Sequence, residues 1–323
     1  MTGFRIRLSA ALFAMALLAA CTRQGEIPSA EDSQKEIALI AKSRGEFWST
    51  VKMGAEAAAK ELGVKLTFDA PEQETDVAGQ IDRVNRYLAY GVDGMVIAAS
   101  DYERLAAPAE SAESRGVPVV AIESEIDSGK IRSFVGIDNY EAGRQAARKM
   151  KEIATGQGRF LILGYLKGAR NTEERERGIL DEWAGDPDIL AVRTAPCSLD
   201  AHQCADMVKD LIAREGPFDG ILALNASAAA GAAEQISRMK RIGGIKLVGF
   251  DNSPEELEWL QEGVIQATVI QNPFSIGYLG VKTAVEALEH KPVEKRIDTG
   301  TKVIDAESMF WSDNQKLLFP FVQ

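Results

Sequence analysis

From residue 35 onward, short apolar runs alternate with longer mixed stretches. The runs 37–41, 64–68, 94–98 and 117–122 are brief and almost wholly apolar, the pattern of parallel strands covered on both faces. Between them, 47–62, 75–90 and 104–114 repeat apolar residues three and four apart, which predicts amphipathic helices. A second series of the same kind follows. Its strands are predicted at 160–163, 189–194, 220–224, 245–249 and 266–270, and its helices at 140–154, 172–184, 201–214, 226–239 and 254–262. Residues 133–136 read as a crossover strand between the series, and 273–288 as a last long helix. Repeated strand–helix–strand units make an α/β fold of doubly wound parallel sheets. Two such halves in one chain predict two lobes joined by a hinge, with a cleft between them.

The two halves echo each other locally. Val117-Pro118-Val119-Val120-Ala121-Ile122 runs into Glu123-Ser124, and Ile245-Lys246-Leu247-Val248-Gly249-Phe250 runs into Asp251-Asn252. Each is a buried strand that stops at an acid followed by a small polar residue. Ligands of open α/β sheets bind beyond the carboxyl ends of the strands. Glu123 and Asp251 are therefore candidate ligand acceptors, and the competing reading is that each caps the next helix. The loop after the first strand gathers Lys42, Ser43, Arg44, Glu46, Phe47 and Trp48. Flat ring faces stack on the apolar faces of a sugar, while its hydroxyls need fixed donors and acceptors. Either ring could instead belong to the core. Arg175 in the helix-opening segment 170–178, Asn225 after strand 220–224, and Gln271 after strand 266–270 complete the set of candidate polar contacts.

The N-terminus changes the picture. Arg5 and Arg7 precede an apolar run from Leu8 to Ala20, which is too short to span a bilayer, and Leu18-Ala19-Ala20-Cys21 ends it. This reads as an export signal over 1–20 with Cys21 as a lipidated first mature residue, followed by a polar tether over 21–34. Export permits a disulfide between the remaining Cys197 and Cys204, with two free thiols as the other outcome. The 323 residues, 46% hydrophobic and 26% charged, suffice for two ordinary domains. The formal net charge of −11 disfavours nucleic acid as a partner. Catalytic signals are thin. The two histidines are His202 and His290; His202-x-Cys204 lacks a second ligand pair, so no metal is expected. The first loop carries one glycine and no phosphate cradle, and no nucleophile elbow is present. No cofactor and no enzymatic activity are expected.

Together these segments resemble the ribose-binding family of periplasmic binding proteins, over roughly residues 35–300. The resemblance rests on Ile37-Ala38-Leu39-Ile40 with Phe47-Trp48, Gly94-Met95-Val96-Ile97 with Asp101, Val117-Pro118-Val119-Val120 and Gly136-Ile137-Asp138-Asn139. It continues through Glu174-Arg175-Glu176-Arg177-Gly178, Ala223-Leu224-Asn225, Val248-Gly249-Phe250-Asp251 and Ala267-Thr268-Val269-Ile270-Gln271. It implies an extracytoplasmic, lipid-anchored monomer that captures a monosaccharide or related polyol between its lobes and delivers it to an ABC permease. A sugar-sensing receptor subunit, or a secreted carbohydrate-active enzyme, is the alternative. Phe47 and Trp48 match the family's sugar-stacking pair, Arg175 its ligand-binding arginine, and Asn225, Asp251 and Gln271 its polar contacts. The chain departs from the family at Glu123-Ser124, where Asp-Arg is usual, at Gly45-Glu46, where Asn-Pro is usual, and at Leu199, where some members carry an aromatic. Lys42 or Arg44 is expected to replace the missing arginine. The lobes are expected at 35–138 plus 272–299 and at 139–271 plus 300–323, with hinge segments near Asp138, Gln271 and Gly300. The tail from Thr301 is expected to pack on a lobe or cover the hinge.

Overall fold

The computed structural model describes residues 34–164, 167–197 and 200–318. Export signal, Cys21 and nearly all of the tether lie outside them, as do Leu199, Phe319 and Phe321.

Two six-stranded sheets form. The first is built from β1 (Glu36–Ile40), β2 (Lys65–Asp69), β3 (Gly94–Ile97), β4 (Val119–Ile122), β5 (Ser133–Gly136) and β11 (Arg296–Asp298), in the order β11-β5-β4-β3-β1-β2. Every pairing in it is parallel. The second contains β6 (Gly158–Gly164), β7 (Ile189–Pro196), β8 (Gly220–Ala223), β9 (Lys246–Phe250), β10 (Ala267–Ile270) and β12 (Lys302–Asp305), in the order β12-β10-β9-β8-β6-β7. Only β12 runs antiparallel to its neighbour. The predicted α/β class with two doubly wound sheets is what the chain adopts.

The sheets are sandwiched by helices because their strands are apolar on both faces. In β1, Ile37 and Leu39 enter one core and Ala38 and Ile40 the other, the period of two that a strand imposes. In β6, Leu161 and Leu163 divide from Phe160 and Ile162 in the same way. The helices of the first half are α1 (Glu46–Leu62), α2 (Val77–Tyr90) and α3 (Ala106–Ser114). Those of the second are α4 (Asn139–Ile153), α5 (Arg170–Trp183), α6 (Ala201–Glu215), α7 (Ala226–Arg238) and α8 (Pro254–Gln261). Helix α9 (Pro273–Leu288) returns to the first sheet and packs on α1. The chain passes between sheets three times: after β5, after β10, and between β11 and β12.

In both sheets the chain leaves its first strand in opposite directions, so β1 and β3, and β6 and β8, flank a switch point where their carboxyl ends diverge. In the first sheet Gln80 fixes that divergence. Its buried Nε2 donates to Ala41 O at 3.1 Å and Ala98 O at 2.7 Å, and its Oε1 accepts from Ser100 N–H at 3.0 Å. The tail packs against the second sheet. Ile304, Met309 and Leu318 join its core, while α10 (Ser312–Leu318) lies over it. Phe310 and Trp311 remain 65% and 61% exposed.

Candidate functional site

Most of the candidate residues meet in one place. A cleft of about 1050 Å³ opens beyond the carboxyl ends of both sheets, lined by Phe47, Trp48, Glu74, Glu123, Arg175, Asn225, Asp251 and Gln271, among others. Phe47 and Trp48 sit in the first turn of α1 with ring centroids 5.1 Å apart, edge to face. Trp48 is also buried against the first core, so it serves both the packing and the cleft wall.

Glu123 and Asp251, the two acids that end echoing strands, share a further property. Both hold positive φ, at 61° and 80°. The left-handed region is costly for a side chain with a Cβ, and its use at two equivalent strand ends over-determines where both carboxyls point. Glu123 is gripped from two sides. Lys42 Nζ lies 2.6 Å from its Oε2, and the Asn171 amide, from α5 of the second lobe, donates to its Oε1. Asp251 accepts from Gln271 Nε2 at 2.8 Å, and its own carbonyl accepts from Thr268 Oγ1 at 2.7 Å. Burial raises the Asp251 carboxyl above its usual range, with the Arg175 charge and the Gln271 hydrogen bond opposing that shift.

Arg175 is almost wholly buried, a costly position for a cation unless its fork is well used. Nε donates to Asn139 Oδ1 at 2.9 Å and Nη1 to Leu224 O at 2.8 Å, and the guanidinium lies 4.5 Å from the Phe250 ring centre. Nη2 has no protein acceptor among the described residues; neither does Thr172 Oγ1 nor Gln271 Oε1 have a partner there. All three residues line the cleft. Asn225 spends its Oδ1 on the N-cap of α7, accepting from Ala228 N–H at 2.8 Å, which leaves its amide nitrogen to offer.

Two expected contacts fall elsewhere. Lys42 is not among the cleft-lining residues; it is buried, with its Nζ 2.6 Å from Glu123 Oε2. Arg44 turns outward, with its guanidinium 3.1 Å from Asp69 and 3.6 Å from Glu72, because Asp69 at the end of β2 already gathers Arg83, Arg86 and Tyr87. Arg44 is not among the cleft-lining residues. Among the polar lining residues that were not candidates from the sequence are Glu74, Asn171 and Thr172. Glu74 lies five residues beyond Asp69, the end of β2, so the rule that singled out Glu123 points to Asp69 there and not to Glu74. Its Oε1 accepts from Trp48 Nε1 at 3.0 Å and Ser43 Oγ at 3.2 Å, and burial raises its carboxyl above the usual range.

The cleft is bounded on one side by contacts between the lobes. Tyr102 N–H donates to Gly168 O at 2.8 Å, Arg170 lies 5.1 Å from the Tyr102 ring centre, and Asn171 reaches Glu123. Cys197 and Cys204 are joined in a disulfide with 5.3 Å between Cα atoms, beside the cleft-lining Asp200 and Gln203. His202 is exposed and paired with Glu234 at 2.9 Å, and no group of three or more metal-ligating side chains occurs among the described residues. Nor is any described helix long and apolar enough to cross a membrane.

Two hinged α/β sheets whose strand tips meet in one polar, ring-walled cleft define an extracytoplasmic solute-binding protein. The chain belongs to the periplasmic binding protein domain family, whose model matches residues 37–292. It is 28% identical over 293 residues to the ribose import binding protein RbsB of Bacillus subtilis, covering 89% of this chain and 94% of that one. Among solved structures it is similar to a carbohydrate transporter solute-binding protein from Agrobacterium radiobacter in complex with D-arabinose. There the TM-score is 0.84 at 29% identity, with 89% and 99% of the two chains covered. A solute-binding protein from Agrobacterium vitis bound with α-D-tagatopyranose matches with a TM-score of 0.84 at 26% identity, covering 88% and 99%.

Proposed function

We propose that this chain captures one monosaccharide or related polyol in the interlobe cleft and hands it to an ABC importer. The observation that carries the reading is the trio of unpartnered polar atoms, Arg175 Nη2, Thr172 Oγ1 and Gln271 Oε1, placed in a cleft walled on its other side by Phe47 and Trp48. Buried donors and acceptors left unsatisfied cost free energy, and ligand hydroxyls of both kinds would relieve them. The sugars named for similar proteins, ribose, D-arabinose and α-D-tagatopyranose, support that chemistry.

The residues divide by role. Phe47 and Trp48 form the ring platform, Asn225 donates, and Asp251 and Gln271 accept or donate from the hinge side. Arg175 supplies a fixed fork, and Glu123, poised by Lys42, presents its carboxylate. Segments 35–138 and 272–299 make one lobe, and 139–271 with 300–323 the other, swinging at the three crossings near Asp138, Gln271 and Gly300. Ligand touching both lobes binds the closed form more strongly and shifts the population toward it. Cys21 carries the lipid that keeps a monomeric receptor at the membrane near its permease.

A thermal-shift panel of aldoses, ketoses and polyols tests the reading on the mature protein. At about 100 times the dissociation constant, a true ligand adds about 2.7 kcal/mol of stability. A panel in which no sugar or polyol raises the melting temperature removes the proposal.

A further inference from the structure

The interior of the cleft is unevenly charged. Six carboxylates line it against one guanidinium, Arg175: Glu46, Glu72 and Asp200 are exposed, while Glu74, Glu123 and Asp251 lie deeper. Glu123 is neutralised by Lys42 at 2.6 Å. Asp251 feels Arg175 and is held by Gln271. Glu74 has no ion pair of its own among the described residues; the Lys42 charge reaches it, but Lys42 is already paired with Glu123. Its two hydrogen bonds, from Trp48 and Ser43, both fall on Oε1, so Oε2 is the oxygen it can turn to a ligand. The Trp48 indole that anchors Glu74 is itself part of the ring platform, which places this carboxylate at the edge of any ring stacked there.

Resting on the proposed sugar-binding reading, we infer that Glu74 sets the charge class of the ligand. The cleft admits polyols whose edge toward Glu74 carries only hydrogen-bond donors, and it rejects the corresponding sugar acids and sugar phosphates. An anionic group brought beside a carboxylate that shares one lysine charge with Glu123, in a partly dry cleft, meets like-charge repulsion that water screens poorly. On the opposite wall the Arg175 charge is already set against Asp251, and of its guanidinium Nη2 alone is left to a ligand hydroxyl.

The test is calorimetric titration of the full chain at pH 7.5 with matched pairs: D-galactose and D-galacturonate, D-glucose and D-glucuronate, D-ribose and D-ribose 5-phosphate. The wild-type protein is expected to bind at least one neutral member, and its anionic counterpart at least about 100-fold more weakly. Glu74→Gln keeps an acceptor for Trp48 and Ser43 while removing the charge. It is expected to narrow that gap by about tenfold or more, mainly by tightening the anion. Glu262→Gln, an exposed acid outside the cleft lining, is expected to leave the gap unchanged. Equal affinity of the wild type for a sugar and its acid, or a Glu74→Gln gap within twofold of wild type, overturns the inference while sugar binding stands. A gap narrowed equally by Glu262→Gln overturns it too, assigning the effect to overall charge. Failure of every neutral sugar to bind takes the functional reading down with it.

Discussion

Glu123 and Asp251 show how far a single position can be read from sequence. Their place at the ends of buried strands was visible, because an apolar run that stops at an acid marks a strand tip. Their left-handed backbone was not, since it arises from the strand neighbours: Glu123 N–H donates to Val135 O and Asp251 N–H to Val269 O, both at 3.0 Å. The placement of Arg44 was hidden for a similar reason. Loop composition put a guanidinium near the cleft, and only the fold brought Asp69 close enough to draw it away. Glu256 adds a consequence at this scale. It is buried behind Asp251's strand, completes the capping box of α8 with Ser253, and leaves Oε1 without a partner among the described residues. Burial, reinforced by the Asp251 charge, raises its carboxyl well above the ordinary value. The folded state thus holds a proton there that the unfolded chain releases. Stability from this group is fully present below the ordinary glutamate range and is lost as pH rises through the raised folded value. Glu256→Gln keeps the capping acceptor and removes the titration. Denaturant unfolding at pH 5 and pH 8 is expected to show the mutant losing less stability across that interval than wild type, and an unchanged difference would refute the assignment.

At the scale of elements, the interior strands and all the long helices were legible because their apolar residues follow periods of two and 3.6 without interruption. Predicted boundaries lie within two residues of those observed in nearly every case; α9 coincides. Two of the edges were not legible. β11 and β12 are three and four residues long and begin and end on charged residues, so their pairing depends on the neighbouring strand rather than on their own pattern. α10 was hidden in the same way, as a short tail helix held by Leu318 and the tertiary site it fills. Helix packing rests on glycine at two closely similar crossings. A methyl group on Gly277 of α9 would fall 1.9 Å from the Val51 carbonyl of α1, and one on Gly143 of α4 would fall 2.1 Å from the Arg175 carbonyl of α5. Gly277→Ala is expected to force α1 and α9 apart at a cost of about 1–3 kcal/mol. Gly129→Ala, where nothing lies within 4 Å, is expected to change stability by less than about 0.5 kcal/mol. Equal denaturation midpoints for the two variants would show that the helix contact yields freely.

For the whole molecule, the two-sheet plan followed from the repeated strand–helix pattern, and the common cleft from the rule that ligands gather at strand tips. The contacts that join the lobes, Tyr102 to Gly168 and Asn171 to Glu123, could not be read from the sequence, because each pairs a residue of one half with a residue of the other. The same geometry makes the central claim testable: a ligand that bridges the lobes must lose affinity when either wall is cut. The direct measurement is calorimetric titration of Phe47→Ala and Arg175→Ala with whichever sugar gives the largest thermal shift, each variant first checked for cooperative unfolding. Losing a charged hydrogen bond costs about 1.5–3 kcal/mol, and an aromatic contact contributes about 0.5–1.5 kcal/mol beyond its buried area. Both variants are therefore expected to bind at least about tenfold more weakly, at one ligand per chain in the wild type. Wild-type affinity retained by either variant would contradict a ligand held between the two lobes.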